Sequence, residues 1–244
     1  MRNLLLEIEY DGSGYAGWQI QKNALSIQEI LEKKLSLILG EKIRLTAAGR
    51  TDAGVHARKQ AANFKTLTTL SADRILKSSN TLLPGDICVK SAKEVALDFN
   101  ARLSARSKIY RYFIYNSKIK SAFWYKYSWR LPYKLNVSLM RRELKEIVGR
   151  HNFKSFAASD KRIRRMERKI SKASLIKKNS FLVIDIEGES FLYNMVRNII
   201  GTLIEIGRGK LPPGSMKRIL KARNRKEAGP CAPAHGLHLV KVKF

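Results

Sequence analysis

The sequence predicts an α+β fold made of two related halves. Three observations carry this. Short segments with a period of two recur along the chain, as strands with one buried face require. Segments with helical spacing separate them, two of them with long apolar stripes. Each half also runs in the same loose order: strand, helix, strand, then more helix.

In the first half, Leu4, Leu6, Ile8 and Tyr10 alternate with Leu5, Glu7 and Glu9, so residues 4–10 read as a strand. The glycine-rich DGSGYAG then reads as a loop. SIQEILEKKLSLILG reads as a helix. Ser26 and Glu29 form a capping box, Ile27, Leu31, Leu35 and Ile38 make one apolar stripe, and Gly40 suits the C-terminal cap. IRLTAAGRTDAGVHARKQAANF reads as strand, turn, strand, and ADRILKSSNTLL as a helix that ends at Pro84-Gly85. LDFNARLSARSK, residues 97–108, joins the halves, with a boundary near residue 105 that gives domains 1–105 and 106–244.

In the second half, KIYRYFIYN (108–116) has aromatic and β-branched residues on both faces and reads as a buried strand. VSLMRRELKEIVG reads as a helix and FLVIDIEGE (181–189) as an alternating strand. FLYNMVRNIIGTLIEIG reads as a long apolar helix with Met195, Val196, Ile199, Ile200 and Leu203 on its core face. SMKRILKARN reads as a short basic helix and GLHLVKVKF as a closing strand.

Charge limits the choice of partner. Lys and Arg number 48 against 20 Asp and Glu, a formal net charge of +28 over 244 residues. Self-repulsion on that scale opposes compaction unless an anionic partner offsets it. Nucleic acid fits first, because the charge is spread along the chain rather than gathered on one amphipathic helix. The N-terminal MRNLLLEIEYDG is too short in apolar residues for a signal-peptide core, and no stretch reaches the length of a membrane span. Cys88 and Cys231 form no metal or redox motif, which suggests a cytosolic chain with free thiols.

Four features stand out for chemistry. Asp52, in AGRTDAGVHA, lies beside Arg50 and among small residues that allow a ligand to approach the backbone. It reads either as a turn aspartate or as a carboxylate kept ionised by cations for nucleophilic or general-base work. A metal reading through Asp52 and His56 lacks further ligands nearby. Residues 154–178 carry ten Lys and Arg against Asp160 and Glu167, which suits either a solvated hairpin or a phosphate-contacting surface. Tyr110, Tyr112, Phe113 and Tyr115 are core residues unless one lies at an edge and stacks on a base. Arg197 falls off the apolar stripe of its helix, either snorkelling to solvent or held in a cleft against an anion. No Walker A, GxGxxG, zinc spacing or nucleophile elbow occurs.

AGRTDAGVHA resembles the active-site motif of the TruA family of tRNA pseudouridine synthases. The likeness continues through EYDGSGYAGWQIQ, LPGDI, DFNARLSARSKIYRYFIYN, HNFKSFAA, FLYNMVRNIIGTLIEIG and the closing AP-x-x-GL-x-L strand, in the family's order. Asn100 departs from it where the family often has histidine, and Lys59 and Ala61 occupy a stretch usually begun by glycine. The resemblance implies a pseudouridine synthase fold: a mixed, mainly antiparallel sheet from two pseudo-symmetric halves, with flanking helices and a basic central cleft. It implies that Asp52 attacks a uridine of tRNA at position 38, 39 or 40 of the anticodon arm, at ribose C1′ or uracil C6. The uracil is then rejoined through C5, with no cofactor, metal or energy source. It implies that Arg50 holds the flipped nucleotide, that Tyr110 stacks on the uracil, that Arg197 pairs with Asp52, and that Leu237 lines the pocket. A homodimer in the cytoplasm, with tRNA and not DNA or membrane as partner, completes the expectation. Two rivals stand beside it: an RNA-binding protein without catalysis, indifferent to the loss of Asp52, and a metal-dependent nuclease.

Overall fold

The computed structural model describes residues 1–158 and 165–244. The chain divides into two compact units, residues 1–106 with 238–244 and residues 107–237, so the closing residues group with the first unit.

The first unit holds β1 (Arg2–Tyr10), α1 (Ile27–Leu39), β2 (Thr46–Ala47), β3 (His56–Thr66), α2 (Ala72–Leu82), β4 (Ile87–Val95) and a short α3 (Ala101–Ser104). The closing strand β10 (Leu237–Lys243) adds its residues from His238 onward. The strand order is β4-β1-β3-β10, with β2 on β3. β1 pairs antiparallel with both β3 and β4, and β10 runs parallel to β3 with His238 opposite His56. The predicted strand and both helices form where the pattern places them. Ser26 caps α1 by accepting the Glu29 N–H at 3.3 Å, and Gly40 ends it at φ 66°. The capping box is one-sided, because the Glu29 carboxylate bonds Lys33 at 2.7 Å instead.

β1 is held to the chain beyond β4 by buried amides. The Asn3 side-chain amide donates to the Ala96 and Phe99 carbonyls at 2.8 and 2.9 Å. Asn63 donates to Asn3 Oδ1 at 2.9 Å and accepts the Ala101 N–H at 2.8 Å. Asn100, where the resemblance leads one to look for histidine, caps α3 by accepting from Arg102 and Leu103 N–H.

The second unit holds β5 (Ser107–Tyr115), β6 (Trp129–Arg130), α4 (Val137–Lys145), β7 (Gly149–Asn152), β8 (Glu167–Lys178), β9 (Phe181–Gly188), α5 (Met195–Gly207) and α6 (Ser215–Ala222). Its strand order is β5-β9-β8-β7, antiparallel throughout, with β6 parallel to β5. α4 packs on α5, α6 and β8.

Two sequence expectations change here. β5 alternates strictly between buried and half-buried residues rather than being buried on both faces. Tyr110, Tyr112 and Ile114 face the core, while Arg111 on the other face forms a two-pronged pair with Asp185 of β9 at 2.7 and 2.8 Å. The long apolar helix starts at Met195, not at Phe191, because Asn194 adopts a left-handed φ of 58° that a helix cannot contain. The basic stretch 154–178, read as a surface, contributes β8, a mostly exposed strand between β9 and β7, while its residues 159–164 lie outside the described ones. The overall class is α+β with mixed, mainly antiparallel strands and flanking helices.

Candidate active site

GRTDAG forms the connection from β2 to β3 in the first unit. Val55 N–H closes a tight turn onto the Asp52 carbonyl at 3.1 Å, and Gly54 takes a left-handed φ of 75° that a side chain would strain. Asp52 is half-buried and Arg50 exposed, while Thr51 between them is buried. The turn is fixed from the sides facing the core. The Tyr10 and Thr51 hydroxyls share a buried 2.7 Å hydrogen bond, and Trp18 N–H donates to the Thr51 carbonyl at 3.1 Å. Gln60 Nε2 donates to the Gly49 carbonyl at 2.8 Å. Burial pushes the Tyr10 phenol up, so it serves as a neutral hydrogen-bond partner and not as an acid.

The glycine-rich DGSGYAG loop supplies the remaining wall. A Cβ on Gly12 would lie 2.1 Å from the Val55 carbonyl oxygen, and one on Gly17 would lie 2.5 Å from that of Thr51. Two backbones therefore meet at distances that only glycine permits. His56, buried at the start of β3, accepts the Gly12 N–H on Nδ1 at 3.1 Å and stacks on His238 with ring centroids 4.6 Å apart. His56 thus joins the DGSGYAG loop to the strand that follows the Asp52 turn. Among the described residues, no three or more His, Cys, Asp or Glu form a group that could hold a metal ion. Neither Cys88, half-buried, nor Cys231, exposed, is in a disulfide.

The second unit carries Tyr110, Arg197 and Leu237. Tyr110 lies on β5, 8% exposed, with its ring edge-on to Phe191 at 5.0 Å. Leu237 is buried at the start of β10. Arg197 is half-buried in the first turn of α5 and does not snorkel. Its Nε donates to the Ala232 carbonyl at 2.7 Å and its Nη1 to Asn194 Oδ1 at 3.1 Å, while Ala232 N–H returns a bond to the Arg197 carbonyl. The left-handed Asn194 thus ends the preceding loop and steers the guanidinium. Tyr112 donates to the Pro233 carbonyl at 2.8 Å, and a Cβ on Gly236 would strike its ring, so the segment leading into Leu237 is fitted to β5. Burial pushes the Tyr112 phenol well up, a shift that nearby Arg197 partly opposes.

Asp52, Arg50, Tyr110, Arg197 and Leu237 each occupy an ordered position. The sequence reading missed the residues that fix them: Tyr10, Gln60, His56, Asn194 and Phe191. The doubled glycines of DGSGYAG were the available signal for a close backbone approach.

The tRNA pseudouridine synthase family matches residues 7–103 and 144–244, and the chain belongs to that family. Among its relatives is tRNA pseudouridine synthase A of Caldicellulosiruptor bescii, 43% identical over 244 residues and spanning the whole of both chains. The enzyme of the same name from Moorella thermoacetica is 44% identical over 99% of each chain, and that from Acetivibrio thermocellus 43% identical over the whole of both. Tyr110 lies between the two matched segments.

Proposed function

We propose that the chain is an isomerase that converts uridine to pseudouridine at positions 38, 39 and 40 of the tRNA anticodon stem and loop. Asp52 is its nucleophile, and no cofactor takes part. The observation that supports this most is the build of the Asp52 turn. Its backbone is locked by Tyr10, Trp18, Gln60 and the glycine contacts, while Asp52 as a residue is only half-buried. Such pre-organisation suits a group that must meet a reacting atom without first being ordered.

The chemistry balances within the substrate. Asp52 attacks the uridine at ribose C1′ or uracil C6 as the N1–C1′ bond breaks. The uracil turns, C5 bonds to C1′, the carboxylate leaves, and the C5 proton is lost while N1 gains one. Nothing is consumed. Arg50 holds the space or the phosphate of the extruded nucleotide, because a base inside a helix is unreachable. Tyr110 stacks on the uracil, Arg197 orients the Asp52 carboxylate, and Leu237 contributes an apolar wall.

On this reading the enzyme works in the cytoplasm with its tRNA, as a homodimer. No helix among the described residues is long and apolar enough to cross a membrane. The test of the site is positional. Three tRNA transcripts, each with one uridine among positions 38, 39 and 40, are incubated with the protein and pseudouridine is mapped. Product at each of the three, and nowhere else, is the expected result. Product outside the anticodon arm would contradict the site assignment while keeping the isomerase.

A further inference from the structure

Residues 117–128, SKIKSAFWYKYS, connect β5 to β6 in the second unit. The segment is tied down at both ends. Asn116 Nδ2 donates to the Leu131 and Tyr133 carbonyls, both at 2.8 Å, and Asn116 N–H donates to Ser180 at 2.7 Å. Within it, Ser128 Oγ and Tyr127 N–H both donate to the Trp124 carbonyl, at 2.8 and 3.1 Å. The Trp124 ring packs edge-on to Phe181 at 4.9 Å, and Phe181 in turn packs on Tyr115. Trp124 is the anchor.

Trp124 is itself 41% exposed, and its neighbours are more so. Phe123 is 86% exposed, Tyr125 63% and Ile119 77%. An ordered loop that packs one aromatic in part and leaves two beside it largely in water forgoes apolar burial that the fold would otherwise gain. The surroundings are cationic. Lys118, Lys120 and Lys126 are exposed within the segment, and Lys126 Nζ stands 5.8 Å from the Tyr125 ring centre. Exposed Lys177 and Lys178 close β8 next to Phe181, since Lys178 is paired with Phe181. No Asp or Glu occurs between Asp98 and Glu143. The segment also lies in the stretch between the two parts of the chain that the family matches.

We infer that residues 118–126 form an RNA-stacking surface, on which Phe123 and Tyr125 stack unpaired bases while the flanking lysines contact phosphates. The inference rests on the tRNA reading above and adds to it a contact surface outside the five site residues. Flat aromatic faces suit bases, and a cationic rim suits a polyanion. A second copy of the chain fits worse, because a two-fold contact would press the same lysines against each other.

The test uses the whole protein and an unmodified tRNA transcript, with tRNA affinity measured across a range of salt concentrations. Two variants are compared with wild type: Phe123→Ala with Tyr125→Ala, and Lys118→Ala with Lys120→Ala and Lys126→Ala. Trp124 is kept, so the loop keeps its anchor, and an unchanged melting temperature verifies this. The aromatic variant is expected to lose about tenfold or more in affinity at every salt, with the salt slope unchanged. Its KM should rise by a similar factor with kcat retained, since stacking serves ground and transition states alike. The lysine variant is expected to flatten the slope by roughly two. Wild type that binds and modifies tRNA, with both variants matching it, overturns this inference alone. Wild type that binds no tRNA overturns it together with the proposed function. An unchanged tRNA affinity with lost binding to phosphatidylserine vesicles, or with a dimer turned monomer, assigns the patch to a membrane or to self-association and also overturns it.

Discussion

Asp52 is an acid in a chain that carries 48 Lys and Arg. On the proposed reading it works as a nucleophile, which needs the ionised form. The backbone around it is held by groups that never approach the substrate in this account, Tyr10 foremost. Tyr10→Phe removes the buried 2.7 Å bond to Thr51 and leaves the ring in place. We expect a loss of about 1 kcal/mol in stability. We also expect kcat to fall while tRNA affinity holds, because on the proposed reading the change loosens the Asp52 turn and not the phosphate contacts. Equal losses in kcat and affinity would show that Tyr10 has no positioning role. At this scale the sequence singles out Asp52 and Arg50 as candidates because they share one short motif. Tyr10 was not, since it meets Thr51 across 41 positions of sequence that only the pairing of β1 with β3 brings together.

Helices and strands show which local signals survive folding. The Ser26 cap, the stripe of α1 and the left-handed Gly40 were readable because each depends on neighbours within one turn. The N-terminus of α6 was not. Gly214 supplies no side-chain cap, and the buried Glu143 of α4 takes its place, accepting the Gly214 and Met216 N–H groups at 2.6 and 3.0 Å. The bonds join residues 71 and 73 positions apart, and no pattern near Ser215 announces them. Glu143→Ala should therefore destabilise the second unit by about 2–4 kcal/mol, since it leaves two amides unpaired and empties a buried volume. Chemical denaturation would check this, and a change under 0.5 kcal/mol would rule the cap out. β5 was misread as buried on both faces because aromatic residues satisfy a core face and a half-exposed face equally well. β4 and β8 escaped notice because their lysines interrupt any alternation of two.

At the scale of the molecule, the dominant fact is the net charge of +28. Among the described residues, exposed ion pairs such as Lys33–Glu29 and Lys77–Asp73 contribute little, and with 48 Lys and Arg against 20 Asp and Glu no pairing can balance the excess. Affinity for tRNA should fall steeply with salt, by roughly 0.7 to 0.9 log units per log unit of salt for each phosphate neutralised. A flat response in a filter-binding titration would show that the charge serves something other than the nucleic-acid backbone. The charge was fully legible from composition, and so was the class of partner. The α+β class was legible as well, because strand and helix periods alternate in both halves. The measurement that tests the central claim most directly is a single pair of reactions. An unmodified tRNA transcript with uridine at position 39 is incubated with wild-type protein and with Asp52→Ala, and pseudouridine is mapped along the strand. The account predicts pseudouridine in the anticodon arm from wild type alone, with tRNA still bound by the variant. Equal product from both proteins would contradict it, because the carboxylate would then be an ordinary turn residue and the nucleophile would lie elsewhere.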